Sequence, residues 1–232
     1  AHVLLLAGRT ADAAARLDPL QDHARTDVGA AFLMVRLRVM QRDTAGALEW
    51  AGVVRGLDLD GAALIGLGQA FGAARLAEPA ATFLTAAADA GFAPEANIGF
   101  AVLASSRGDR AGAKRHLLAA LKFDGARFTK GQTVGSLFHE ILGRLNGLAE
   151  QRLDCTAWIA TVPDGSPTLA GRSILVCAPS ESSARACLET IVTAMQGSEP
   201  AAADLSGVTW RLAPKAQQPD RPVPPGVHSV VG

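Results

Sequence analysis

The sequence predicts a mainly α-helical protein in which an array of helix pairs precedes a small α/β module. Residues 1–150 are rich in Ala and Leu with few Pro or β-branched runs, and a similar turn recurs within them every 33 or 34 residues. After residue 150, Pro, Ser, Thr and Val become frequent, which indicates a domain boundary. We therefore expect a helical repeat domain over residues 1–150, an α/β (β-β-α-β) module over 151–213 and a Pro-rich tail over 214–232.

The charge balance argues against two broad classes of protein. The 232 residues include 22 Lys and Arg and 22 Asp and Glu, and only 19% of the chain is charged. A neutral chain of this kind has neither the basic field that attracts nucleic acid nor the composition of a disordered protein. We expect a folded protein that does not have nucleic acid as a partner.

The number of cysteines indicates the cellular compartment, and the hydropathy indicates whether the chain spans a membrane. The chain has three Cys, which cannot all pair in disulfides, and it is long enough to bury a core without them. This favours a reducing compartment such as the cytoplasm. The apolar stretch Ala62–Phe71 is much shorter than the roughly 18 residues that a membrane span requires, so we expect no such span.

The self-similarity of the first domain lies in turns that each follow one helical stretch and open a second. The Ala residues that close these turns are Ala13, Ala47, Ala80 and Ala113, at steps of 34, 33 and 33 residues. This period is typical of solenoids built from paired helices.

The best-defined repeat combines small and large residues at fixed positions. These are Leu67, Gly68 and Phe71 in the first helix and Ala80, Leu84 and Ala87 in the second. Small residues are needed where two helices cross closely, and a large residue fills the adjoining hole. The spacing resembles that of the tetratricopeptide repeat over about residues 1–125. The resemblance implies a right-handed superhelix of helix pairs.

The segments after the repeats predict one further helix and the α/β module. Val134–Leu148 carries an apolar stripe at helical spacing and is placed to cover the end of the array. Thr156–Val162, Ser173–Ala178 and Gly207–Leu212 read as strands, and Ser180 is a suitable N-cap for an amphipathic helix between the last two. The Pro-rich tail is expected to be extended, without a core of its own.

Two patterns resemble functional motifs, and helix packing accounts better for both. His139-Glu140 lacks a second zinc ligand one turn later, because Gly143 stands there. The segment Gly66–Phe71 begins like a dinucleotide fingerprint but has no preceding strand and no third Gly. We therefore expect no metal, no cofactor and no catalytic residues.

Cys177 has two interpretations, a reactive thiol and a buried structural residue. A thiol between a strand and a Ser-lined helix N-terminus could become an anion-binding thiolate. A phosphatase-type loop would require Arg where Ser183 stands. Because Ile174, Val176 and Cys177 lie in a run that is apolar on both faces, we expect a buried and inert thiol. An enzyme that uses Cys177 is the alternative.

The basic residues are unevenly distributed along the chain. Seven of them fall in one stretch: Arg107, Arg110, Lys114, Arg115, Lys122, Arg127 and Lys130. Only Asp109 and Asp124 oppose them there. We expect a solvated helix face, with a patch for an acidic partner as the alternative.

The resemblance to tetratricopeptide repeats also implies a binding surface, because first helices line the concave side of such arrays. Projecting the pattern places Phe32, Arg36, Val39, Ile65, Gln69, Ile98 and Val102 in this groove. Such a groove is apolar and lacks most of the Lys, Arg and Asn of repeats that grip acidic chaperone C-termini. It suits an amphipathic helix or an extended apolar segment from another protein, a second copy of the chain or its own C-terminal part.

The leading hypothesis is therefore a non-catalytic scaffold for protein–protein interaction. We expect it to bind an apolar peptide or helix in the groove during assembly of a bacterial-type complex. The alternative is an accessory or regulatory subunit of an enzyme complex whose catalytic centre belongs to a partner chain.

Overall fold

The structure, a computed structural model, describes residues 1–57, 59–149, 152–164, 169–196, 205 and 207–231. It is mainly helical and contains a small four-stranded antiparallel sheet. The chain divides into two units. Unit 1 comprises residues 1–108 and 127–130, and unit 2 comprises residues 109–126 and 131–232.

Unit 1 is built from helices that pack in consecutive pairs. They are α1 (His2–Leu6), α2 (Thr10–Leu17), α3 (Gln21–Ala24), α4 (Val28–Met40), α5 (Thr44–Arg55), α6 (Gly61–Ala73), α7 (Ala77–Ala87) and α8 (Ala93–Ser106). Helix α4 packs mainly on α5, and α6 packs mainly on α7. The side chains of Asp27, Asp43 and Asp60 accept a backbone N–H in the first turn of α4, α5 and α6. These caps satisfy donors that have no partner inside the helix.

The turns that end the first helix of each repeat share one backbone geometry. Gly8, Arg42, Arg75 and Gly108 have positive φ angles of 72°, 60°, 62° and 77°. In the first three turns, the next residue donates its N–H to the carbonyl five positions back, at 2.8–2.9 Å. This is the Schellman arrangement, in which a left-handed residue ends a helix and satisfies its last carbonyls. Successive left-handed residues are 34, 33 and 33 positions apart, so the backbone repeats with the predicted period.

Small residues allow the close helix crossings of unit 1. Gly68 on α6 and Gly99 on α8 both lie against Leu84 of α7. A Cβ atom at Gly68 would stand 2.6 Å from Leu84 Cγ, and one at Gly99 would stand 2.5 Å from Leu84 Cδ2. The rings of Phe71 and Phe83 stack beside them with centroids 5.8 Å apart. The predicted small and large positions of this repeat are all buried.

Residues 127–130 return to unit 1 and pack against the start of α8. Thr129 donates its backbone N–H and its hydroxyl to the carboxylate of Glu95, which is only 6% exposed. Arg127 donates its N–H to the carbonyl of Gly91 at 2.8 Å and places its guanidinium 5.1 Å from the ring centroid of Phe92. Arg127 therefore stabilises unit 1 itself.

In the part of unit 2 that the structure describes, three α-helices combine with the antiparallel sheet. These elements are α9 (Arg110–Ala119), α10 (Val134–Gly147), β1 (Thr156–Thr161), β2 (Ser173–Ala178), α11 (Glu181–Gln196), β3 (Thr209–Leu212) and β4 (Gly226–Val231). The strand order is β3-β1-β2-β4. In the register, Trp158 faces Val176 on one side and Leu212 on the other. Helix α11 packs on β2 and β4, and Ser180 caps it as predicted.

The structure has one strand more than the predicted β-β-α-β unit, and the additional strand comes from the tail. Three strands and the helix form where the sequence predicts them, but residues 226–231 pair with β2 as a fourth strand. The tail is therefore not an extended segment without a core. Its many Pro residues precede β4, so they do not remove hydrogen-bond donors from the ladder. The predicted turn at 163–167 lies partly outside the described residues.

Helix α10 forms over Val134–Gly147, where a helix was predicted. It contacts α9 and, more extensively, β4. Residues 134–147 therefore belong to the unit that contains the sheet, whereas the sequence analysis grouped them with the repeats. The boundaries of independently folding domains stay a prediction.

Candidate functional site

The seven predicted groove residues differ in how much surface they offer. Phe32, Arg36 and Val39 on α4 are partly buried, and Gln69 on α6 is exposed. Val102 on α8 is 44% exposed. Ile65 and Ile98 are only 6% and 5% exposed.

Ile65 and Ile98 are more buried than residues that line a binding groove are expected to be. Ile65 belongs to the core of unit 1, because α6 packs against α4, α7 and α8 and has little free surface. Both isoleucines therefore offer little surface to a partner, and a groove formed by all seven residues stays a prediction. Helices α4 and α6 pack against each other, and the surface between them, here called the α4/α6 furrow, holds two pockets lined in part by Phe32 and Val39. Val102 lies on α8 and lines neither pocket.

One end of the furrow holds an apolar cavity of about 390 Å³, here called the Phe32 pocket. It is lined by Val28, Gly29, Phe32, Asp60, Ala62 and Ala63. The ring of Phe32 lies over Gly66, where an added Cβ would stand 2.9 Å from ring atom Cζ. The guanidinium of Arg36 lies 5.9 Å from the centroid of the same ring. The pocket is thus shaped by small residues on α6 and one aromatic ring on α4.

The opposite end of the furrow holds a larger and more polar cavity of about 670 Å³, here called the Arg42/Arg75 pocket. It is lined by Val39, Met40, Arg42, Thr44, Ala73, Ala74, Arg75 and Leu76. Its two exposed Arg residues occupy equivalent left-handed positions in successive repeats. Among the ion pairs of the described residues, none involves Arg42 or Arg75.

The two pockets define the length of the candidate site. They lie at the first turns and the last turns of α4, which has 13 residues and a length of about 20 Å. An extended peptide of about six residues spans this distance. Over this length the furrow has an apolar pocket at one end and two cations at the other.

Sequence reasoning missed most of the residues that line the pockets, although a signal was present. Gly29 and Ala62 are both the second residue of a first helix, 33 positions apart, and both are small. Arg42 and Arg75 show the same spacing at the turns. Aligning exposed positions as well as core positions of the repeats would have brought these four residues together.

The geometry around Cys177 fits the inert thiol that the sequence predicts. Cys177 is 5% exposed and packs with Ala157, Ile159 and Ala213. Burial, and secondarily Cys155, raises the pKa of the Cys177 thiol to about 11. A thiol with that pKa is almost wholly protonated at neutral pH and is a poor nucleophile.

The other polar candidates, His139 and the basic stretch, do not form a common site among the described residues. Nδ1 of His139 lies 2.8 Å from the carbonyl of Gly135 one turn earlier in α10. The basic stretch is divided between the units, with Arg127 bound to unit 1 and Lys114 in unit 2. A common patch for an acidic partner stays a prediction.

Comparison with known protein families, curated proteins and solved structures finds no match to this chain. Within the part of the chain that the structure describes, no helix is both long and apolar enough to cross a membrane.

Proposed function

We propose that this chain is a non-catalytic scaffold of tetratricopeptide-like repeats that binds a short segment of a partner protein in the α4/α6 furrow. The observation that carries the proposal is the pair of pockets at opposite ends of one furrow. Phe32 lines one pocket and Val39 lines the other. The regular spacing of the left-handed turn residues supports the assignment to a helical repeat array.

The chemistry of the two pockets suggests the character of the bound segment. The Phe32 pocket has an aromatic ring, Val28 and two alanines on its walls, so it suits a bulky apolar side chain. Among the lining residues that the structure describes, the one carboxylate is that of Asp60, which already accepts the N–H of Ala63 at 2.7 Å. At the other end, Arg42 and Arg75 suit an acidic group. An apolar anchor followed at about 20 Å by an acidic residue would use both ends.

Site-specific photo-crosslinking in native extract tests this proposal. A benzophenone side chain is placed at Ala62, which is exposed and lines the Phe32 pocket. We expect crosslinks from this position to one apolar segment of one partner, identified by mass spectrometry of the crosslinked peptide. Crosslinks to a second copy of this chain would identify self-association instead of a foreign partner.

Ala111 provides a matched control position for Ala62. It is also exposed and is also the second residue of its helix, α9, and neither it nor its chain neighbours line the furrow pockets. Ala62→Trp should fill the pocket and weaken binding of the identified segment, whereas Ala111→Trp should leave binding unchanged. Equal crosslinking from both positions, or equal binding by both Trp variants, would refute the furrow as the binding site.

A further inference from the structure

A third cavity lies within unit 2 and has a volume of about 200 Å³, here called the unit 2 cavity. Its walls come from α9, α10, α11 and the start of β4. The apolar lining residues are Leu118, Leu142, Leu145, Leu148, Ala149, Ile191, Pro225 and Val227. The cavity opens to solvent, and lining residues such as Leu118, Leu145 and Leu148 are only partly buried. An engineered apolar cavity of about 150 Å³ binds benzene, so the volume is sufficient for a ligand of that size.

The polar lining residues are few, and most of their bonding capacity is used locally. Asn146 donates its side-chain amide to the carbonyl of Val227 at 2.9 Å. The hydroxyl of Thr190 donates to the carbonyl of Ala186 in its own helix. Lys114 is exposed, and no ion pair found among the described residues includes it. Among the lining residues that the structure describes, the one full charge is therefore the Lys114 ammonium, which has no acidic partner in the described part of the chain.

The Lys114 ammonium is near enough to the cavity wall to affect the ionisation of a thiol in that wall. Burial raises the pKa of the Cys187 thiol, another lining residue, and the Lys114 ammonium opposes that rise. A cation at the edge of an apolar cavity favours a ligand that has an apolar body and one negative charge.

We propose that the unit 2 cavity binds a small apolar monocarboxylate, with its hydrocarbon part among the leucines and its carboxylate beside Lys114. The leucines, Ile191 and Val227 provide the burial that drives binding. Lys114 selects the charged molecule over an uncharged molecule of equal size. This site is separate from the α4/α6 furrow and does not depend on the function proposed for it.

Calorimetric titration of the full chain with octanoate and benzoate tests the proposal, with 1-octanol and benzyl alcohol as uncharged counterparts. We expect at least one carboxylate to bind with a Kd of about 1 mM or tighter. Its alcohol should bind about fivefold more weakly, as expected for one partly exposed ion pair. Lys114→Gln should reduce the carboxylate to the affinity of the alcohol. Lys122→Gln, at an exposed lysine outside the cavity lining, should have no effect.

Thiol protection gives a second readout that needs no variant. The bound carboxylate should slow alkylation of Cys187, which lines the cavity, and should leave the rate at Cys155 unchanged, because Cys155 is not among the lining residues. Both rates are obtained from one sample by peptide mass spectrometry. Binding of neither carboxylate at millimolar concentration, equal affinity in Lys114→Gln, or equal protection of both thiols would overturn the proposal.

Discussion

Leu84 shows how single residues set the spacing of the helices in unit 1. It is 1% exposed and lies between Gly68 of α6 and Gly99 of α8. A methyl group added on either side would come within 2.6 Å of its side chain. Because both sides are occupied, Leu84 cannot move away from one contact without meeting the other.

We therefore predict that Gly68→Ala lowers the free energy of unfolding by about 1–3 kcal/mol, as overpacking of a core does. Gly52→Ala is the matched control, since Gly52 lies inside α5 with no atom within 4 Å of an added Cβ. That control should be stabilising by up to about 1 kcal/mol from helix propensity. Denaturant unfolding of both variants measures the difference. A Gly68→Ala variant as stable as the parent would contradict the close crossing.

Cys177 differs from the other two thiols in its exposure, and this gives a labelling prediction. Cys177 is buried, whereas Cys155 and Cys187 are partly exposed. Alkylation of the folded protein at neutral pH should modify Cys155 and Cys187 before Cys177, which should react only when denaturant is added. Peptide mass spectrometry over time provides the measurement. Rapid selective labelling of Cys177 would favour the alternative of an enzyme that uses this thiol.

The raised pKa of Cys177 also predicts how stability depends on pH. Its pKa moves from an ordinary value of 9.0 to about 11 in the folded chain, mainly because of burial. A thiol that ionises less readily in the folded state stabilises that state below pH 9, and this contribution is lost as pH rises towards 11. The stability difference between the parent and Cys177→Ala should therefore shrink over that window. A difference that stays constant from pH 8 to pH 11 would contradict the assignment.

At the scale of elements, the repeated turns show that one backbone geometry is built from different residues. Gly occupies the left-handed position in the first and fourth turns, whereas Arg42 and Arg75 occupy it in the second and third. A left-handed conformation is strained for a residue with a Cβ atom and is free of that strain for Gly. Because these turns end helices, each exchange acts on the stability of the helix that the turn ends.

We predict that Arg75→Gly stabilises the chain by about 1 kcal/mol and that Gly108→Ala destabilises it by a similar amount. Gly108 is suitable for the reverse exchange, because no atom lies within 4 Å of an added Cβ there and the substitution therefore changes the backbone strain without a steric clash. Thermal unfolding of the two single variants checks the signs. If both variants shift the midpoint in the same direction, backbone strain does not control these turns.

For the whole molecule, the C-terminal segment completes the sheet of unit 2. Strand β4 pairs with β2, contacts α10 and α11, and is fixed at Val227 by the amide of Asn146. Without β4, the edge of β2 and part of the α10 surface would be exposed to solvent. Unpaired strand edges promote association between chains.

We predict that a chain ending at Pro225 loses most near-ultraviolet signal from Trp158 and Trp210 and associates in solution, while the helices of unit 1 remain. Circular dichroism and light scattering provide the two measurements. Asn146→Ala removes only the side-chain bond to Val227 and should cost about 1–2 kcal/mol without association. A truncated chain that stays monomeric with an unchanged spectrum would show that the tail does not complete the sheet.

The sequence by itself determined the features that depend on near neighbours along the chain. The repeat period follows from local turn chemistry and from small residues at fixed helical positions, as at Ala13, Ala47, Ala80 and Ala113, all fully buried. Helix α10, helix α11 and the first three strands also follow from periodicity within single segments.

The tertiary structure alone decided which residues remain at the surface and which distant segments meet. Ile65 and Ile98 carry the pattern of groove residues, but their burial depends on helices far away in sequence. Strand β4 follows a Pro-rich stretch, and its pairing with β2 joins residues 49 to 58 positions apart, from Cys177 with Gly226 to Ser173 with Val231. The furrow pockets likewise combine residues from α4 and α6, so no single segment shows them. Periodicity reports the environment of one element, whereas exposure and strand pairing depend on the packing of several elements together.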